Sequence, residues 1–164
     1  MRRYERTVPA PAGLGVEGVI VVPEGDDVEL DLRVESVVEG VLVTGSVTAT
    51  VVGECSRCLD PLSEDVTVHV TELYAYPDSA TDTSTDADEV SRVVDDLVDT
   101  EPTVRDALLL ALPQAPLCTD DCAGLCPECG GKRAELGADH RHESIDARWA
   151  ALAPRLGDIE EENE

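Results

Sequence analysis

The residues of this 164-residue chain best equipped for chemistry are its six cysteines, and they come in pairs. Cys55 and Cys58 are spaced C-x2-C, as are Cys126 and Cys129, while Cys118 and Cys122 are spaced C-x3-C. The last four fall within one run, PLCTDDCAGLCPECGG, residues 116–131. Two thiolates one tight turn apart can both reach a tetrahedral ion, so three such pairs in one chain point to zinc. Gly and Pro beside the last pair, in CPECGG, permit the turn in which backbone N–H groups point at thiolate sulfur. Spacing alone leaves open which four thiols bind. One set is a local knuckle of Cys118, Cys122, Cys126 and Cys129, towards which the residues by themselves lean. The other joins Cys55 and Cys58 to one pair of the later run, at a closure entropy that rises only slowly with loop length.

Other chemistries fit this pattern less well. A thioredoxin-like redox pair needs its first cysteine at a helix N-terminus, and CPECGGK runs on into glycines instead. A catalytic thiol needs a positioned base, which nothing in the sequence marks. Three disulfides need an oxidising compartment. His69 stands in an alternating strand pattern and reads as a non-ligand. His140 and His142, in DHRHES, have a spacing that could contact a metal, but with enough thiols available they read as surface residues. Arg57, between the first two cysteines, has three open roles: balancing thiolate charge, contacting a partner, or standing exposed. Trp149 reads as a docking or core residue.

The elements that must position these groups are mostly strands. In residues 27–38, DVELDLRVESVV, Val28, Leu30, Leu32 and Val34 alternate with charged residues, the pattern of a half-buried strand. Residues 41–52, VLVTGSVTATVV, make a β-branched strand with Gly45 as a bulge or close-packing point. Residues 65–74, DVTVHVTELY, alternate again. Three successive strands with short connections imply an antiparallel meander, with VEGVIVVPEG as a further edge strand. Cys55 and Cys58 then sit at the hairpin between the second and third strands. Residues 77–89, PDSATDTSTDADE, hold five acids and no base, and read as a mobile loop. A short strand at 90–94 is followed by a helix from Thr100 to about Leu112, with Val104, Leu108 and Ala111 on one stripe and Leu109 and Leu112 widening it. Pro113 and Pro116 end that helix and lead into the cysteine run. Ser144 caps a last short helix carrying Ile145, Trp149 and Leu152, before an acidic tail.

The fold expected is therefore a β-rich α+β domain: a small antiparallel sheet, open or barrel-like, one covering helix, a cysteine-rich zinc staple and a short C-terminal helix. Without Phe and with one Trp and three Tyr, the core must come from Val, Leu and Ala, and a small domain with such a core gains from a metal staple. The N-terminal MRRYERTVPAPAGLGVEG has basic residues but no apolar segment of a secretory signal, and no window has the length of a membrane span. A cytoplasmic location is the expectation, with no membrane partner. The net charge of −24 excludes a sequence-independent nucleic-acid binder, which needs a basic surface, and suits a cationic partner. A general bias towards acidic, soluble surfaces would produce the same charge.

CSRCLDPL after two strands, then an acidic loop, then VRDALLLALPQAPLCTDDCAGLCPECGG, together resemble the YceD family, named for large ribosomal RNA subunit accumulation. The resemblance spans roughly residues 15–135, and HRHESIDARWAAL is similar to the ending of actinobacterial-type members. It implies a YceD-like domain over 1–135, with the 77–89 loop inside it, and a C-terminal helix and acidic tail over 136–164. Members lacking CPEC keep the early C-x-R-C that matches Cys55, Arg57 and Cys58, and place another ligand pair where Cys118 and Cys122 stand. The resemblance thus implies one site of Cys55, Cys58, Cys118 and Cys122, with Cys126 and Cys129 as an alternative or added pair. It also implies a non-enzymatic ribosome-biogenesis factor supporting accumulation of large-subunit (23S) ribosomal RNA. With the charge, the expected partner is a basic ribosomal protein or a pre-50S particle, not naked RNA. The competing reading is a thiol-redox or metal-handling protein working through Cys126 and Cys129, and a weaker one is a zinc-ribbon adaptor for transcription.

Overall fold

The structure, a computed structural model, describes residues 1–86, 89–137, 139–142 and 148. Six strands come first: β1 (Arg2–Pro9), β2 (Gly15–Val16), β3 (Ile20–Val21), β4 (Asp27–Ser36), β5 (Gly40–Glu54) and β6 (Pro61–Ala75). Two helices follow, α1 (Ala80–Ser84) and α2 (Glu101–Ala111). β4, β5 and β6 form the expected antiparallel meander, in which β6 runs along the whole of β5, from Gly40 opposite Ala75 to Glu54 opposite Pro61. β3 continues the β4 side of β5 at Val52 and Gly53, and β2 pairs back on β3.

The alternation that marked the strands also sorts their faces. Val28 and Leu32 of β4, Val43, Val47, Ala49 and Val51 of β5, and Val68, Val70 and Tyr74 of β6 are all buried. The register sets Val28 against Ala49 and Val47 against Val68, so apolar side chains meet on one face. Gly45 belongs to that face, opposite Leu32 and Val70 in an unbroken register, so it is a close-packing point and no bulge. A Cβ there would run into the carbonyl of Asp31. The uncovered face is polar, with Thr48 Oγ1 hydrogen-bonded to Thr67 Oγ1 at 2.9 Å and His69 exposed.

α2 covers the buried face. Leu108 and Leu112 are buried in the core cluster, with Val104, Ala107 and Leu109 partly buried against it, while Ala111 falls on the exposed side. Tyr74 reaches the first turn of α2, its hydroxyl 2.8 Å from Thr103 Oγ1, which satisfies the one polar atom this large side chain carries into the core.

Several expectations change. The sheet is open and does not close into a barrel: its outer strands, β1 and β6, pair with β4 and β5 and not with each other. β1 itself escaped the sequence reading because RRYERTVP is exposed along nearly its whole length and shows no apolar alternation. It is held by backbone pairing to β4 and by the exposed pair Arg3–Asp31 at 2.7 Å. The acidic 77–89 stretch is not structureless, since α1 forms there with Ser79 Oγ accepting from the Asp82 amide at 3.2 Å. Its missing base comes from outside the stretch: Arg92 lies 2.6 Å from the Asp82 carboxylate and holds it below the usual carboxylate range. In place of a strand at 90–94 there are single bridges, Arg92 to Ala75 and Val94 to Leu97. The expected C-terminal helix, with Ile145, Trp149 and Leu152, lies outside the described residues.

The chain divides into two units, Met1–Cys122 and Ala123–Glu164. All eight helices and strands named above belong to the first. Among the described residues no helix is long and apolar enough to cross a membrane.

Candidate metal centres

In the first unit β5 runs out at Glu54, and the next four residues make the turn that carries the first cysteine pair. The Cys55 amide donates to the Asp60 carbonyl at 2.8 Å, and the Cys55 carbonyl accepts from the Leu59 amide at 2.8 Å. Leu59 takes a left-handed φ of 62° to close the turn, a conformation that costs a non-glycine residue. The second pair is brought in by the segment after α2. The Ser56 amide donates to the carbonyl of buried Pro116 at 2.8 Å, which pins that segment to the hairpin. Arg57 adds a second tie, donating from its guanidinium to the Cys122 carbonyl at 3.0 Å. Arg57 stands exposed, one of the three roles left open to it, and it also bridges the two cysteine segments, a role the sequence did not suggest.

The result is that Cys55, Cys58, Cys118 and Cys122 place their sulfurs within 4.8 Å of one another. Cys55 Sγ lies 3.7 Å from Cys122 Sγ, and Cys58 Sγ 3.6 Å from Cys118 Sγ. Four thiolates on one tetrahedral zinc, at Zn–S of about 2.3 Å, keep sulfurs about 3.8 Å apart, so the donor set fits that ion. None of the six cysteines is joined in a disulfide. The backbone amides of Cys118, Arg57 and Cys58 point at Cys55, and the first of these does most to lower its thiol to about 6 against the effect of burial. Cys118 is pushed up, chiefly by the neighbouring thiol of Cys122. Cys58 is also raised: the Asp60 amide favours its thiolate, but burial and the thiols of Cys55 and Cys118 outweigh it. Such a group cannot ionise four times over without a cation at its centre.

In the second unit the turn at Cys126 repeats the first in its hydrogen bonds. The Cys126 amide donates to the Gly131 carbonyl at 2.7 Å, and its carbonyl accepts from the Gly130 amide at 2.8 Å, with Gly130 at a left-handed φ of 69°. The amides of Cys129 and Glu128, in that order, with the ring of His140, lower the Cys126 thiol to about 6. His140 and His142, read from sequence as surface residues without a metal role, join this pair: the four ligand atoms of Cys126, Cys129, His140 and His142 lie within 4.8 Å of one another.

Among the described residues Cys118 and Cys122 cluster with the hairpin thiols, and Cys126 and Cys129 cluster with the two histidines. Distance along the chain sets what a ligand can reach, not which way it points, and the Pro116 and Arg57 contacts turn Cys118 and Cys122 towards the hairpin. His69 belongs to neither cluster. What spacing alone could not supply was the histidine contribution, whose only signal was the H-x-H doublet just downstream of CPEC.

Comparison with known proteins adds an independent line. The family described as large ribosomal RNA subunit accumulation protein YceD matches residues 43–154. An uncharacterized protein of Mycobacterium tuberculosis is 56% identical over 151 residues, covering 92% of this chain and 72% of that protein. One of Mycobacterium bovis shows the same identity and coverage, and one of Mycobacterium leprae is 46% identical over 152 residues, covering 93% of this chain and 69% of that protein. No solved structure matches significantly.

Proposed function

The chain belongs to the YceD family of large ribosomal RNA subunit accumulation proteins, and from that premise we propose that it is a non-enzymatic, cytoplasmic factor of large-subunit assembly. Its part is to support accumulation of 23S ribosomal RNA by holding a basic ribosomal protein, or a pre-50S particle through such a protein. The family match over residues 43–154, which takes in both cysteine clusters, carries the reading. The charge supports the choice of partner. The chain has a net charge of −24 and none of the described charged residues is buried, so the described acids stand at the surface, where they attract a cationic chain and repel phosphate.

Zinc held by Cys55, Cys58, Cys118 and Cys122 is the structural part of this reading. It would staple the β5–β6 hairpin to the segment after α2, and its binding energy would become folding energy for a core in which Tyr74 is the one buried aromatic ring among the described residues. No chemistry is asked of the metal beyond that.

Two experiments test this. Depletion of the protein should lower mature 23S relative to 16S ribosomal RNA, and a normal ratio would refute the assembly role. Affinity capture should recover a basic protein in a complex that survives RNase and dissociates as salt rises. Tight binding to naked ribosomal RNA would sink the protein-bridged version while leaving the assembly role intact.

A further inference from the structure

The second unit lacks what holds the first together. Among its described residues Cys126 is the one hydrophobic residue that is buried, and its only pairing is the single bridge of Leu125 with Lys132. Leu125 and Leu136 are half-buried, too little apolar surface to offset the entropy of fixing these turns. A small unit of this kind is ordinarily folded by a staple.

We propose that Cys126, Cys129, His140 and His142 form a second zinc site, filled independently of the first, whose metal is what folds this unit. Two thiolates and two imidazoles are a donor set suited to tetrahedral zinc. Cys129 Sγ stands 3.6 Å from His140 Nε2, the separation of about 3.6 Å that a thiolate and an imidazole keep on one zinc. Nε2 of His142 lies 2.8 Å from Nε2 of His140, with the rings edge to face. The same nitrogen of both rings is thus aimed at one point, and a zinc entering there would part them to about 3.4 Å. The turn at Gly137, whose carbonyl accepts from the His140 amide at 2.9 Å, is what swings the histidines back to the cysteines. Around the knuckle, the Arg133 amide donates to the Gly124 carbonyl at 2.9 Å, and a Cβ on Gly131 would crowd Leu136. The site differs in kind from the first: zinc with two thiolates and two neutral imidazoles carries no net charge, whereas zinc with four thiolates carries two negative charges.

The test is native mass spectrometry of the full chain, purified in zinc, with native-state alkylation mapped cysteine by cysteine. The H140A/H142A double variant should carry one zinc fewer than the wild type. Cys126 and Cys129 should be protected in the wild type and modified in the variant, while the other four cysteines behave alike in both. Cys129 is exposed, so its protection can come only from a bond to its sulfur. The H140C/H142C variant, which puts two soft ligands back at the same positions, should regain the lost zinc. Equal zinc counts in wild type and H140A/H142A would overturn the proposal. So would rapid alkylation of Cys129 in the wild type, a ready Cys126–Cys129 disulfide in the zinc-loaded chain, or no recovery of zinc in H140C/H142C. These outcomes are read from the difference at one site, so they stand whether or not the four-thiol site or the assembly role holds.

Discussion

At Cys55 the amide donates to the carbonyl five residues on, the carbonyl accepts from the amide four residues on, and that fourth residue is left-handed; at Cys126 all three features recur. The first turn, however, closes on Leu59 and the second on Gly130. The first sits between two strands of 15 residues each, with Cys55 and Cys58 both buried, and can hold a strained leucine. The second has no strand among the described residues of its own unit and uses the residue that adopts φ > 0 without penalty. The comparison separates two jobs of a metal knuckle. In the first unit zinc would fasten parts that the sheet already organises. In the second it would supply the organisation itself.

The largest effect should come from breaking the first staple. Cys55→Ser, or chelation of the zinc, should lower the melting temperature of the sheet unit by at least about 10 °C, since structural zinc is worth on the order of 10 kcal/mol in small domains. Circular dichroism should still show β structure at room temperature, because the sheet does not depend on the metal for its pairing. Complete loss of the sheet would erase the contrast between the units.

A core substitution sharpens the comparison from the other side. Leu108 is fully buried on the inner face of α2, and Leu108→Ala should destabilise the first unit by about 3 kcal/mol in denaturant unfolding. Zinc content at Cys126 and Cys129 should not change. A smaller effect is expected at the matched turn positions. A Cβ on Gly130 would meet nothing within 4 Å, so Gly130→Ala should cost about 1 kcal/mol through backbone strain alone, seen as weaker zinc retention against a chelator. Leu59→Gly should leave the melting temperature unchanged or slightly raised, because Leu59 is 58% exposed and gives up little packing. Equal losses from both changes would show that the turns are not equivalent.

Where a segment's own residues decide its structure, the sequence was legible. The alternation in β4, β5 and β6 gave the meander, and the apolar stripe from Val104 to Leu112 gave α2. What stayed hidden depended on partners far along the chain. β1 is exposed and charged, and only its pairing with β4 makes it a strand. In α1 the one acid, Asp82, is met by Arg92 from outside the helix, and the four-thiol cluster draws on Pro116 held against Ser56. The family resemblance, not the spacing, pointed to Cys55, Cys58, Cys118 and Cys122 together. His140 and His142 were set aside because the thiols sufficed in number; the geometry distributes those thiols between two clusters, and the second has two places for histidine.

The central claim is that the four thiols of the first unit hold one zinc. Zinc K-edge X-ray absorption on the H140A/H142A variant tests it most directly, since that variant leaves the first cluster intact. The prediction is one zinc per chain with a single shell of four sulfurs at about 2.3 Å and no nitrogen or oxygen neighbour. A chain without zinc, or a zinc ligated by nitrogen or oxygen, would contradict it.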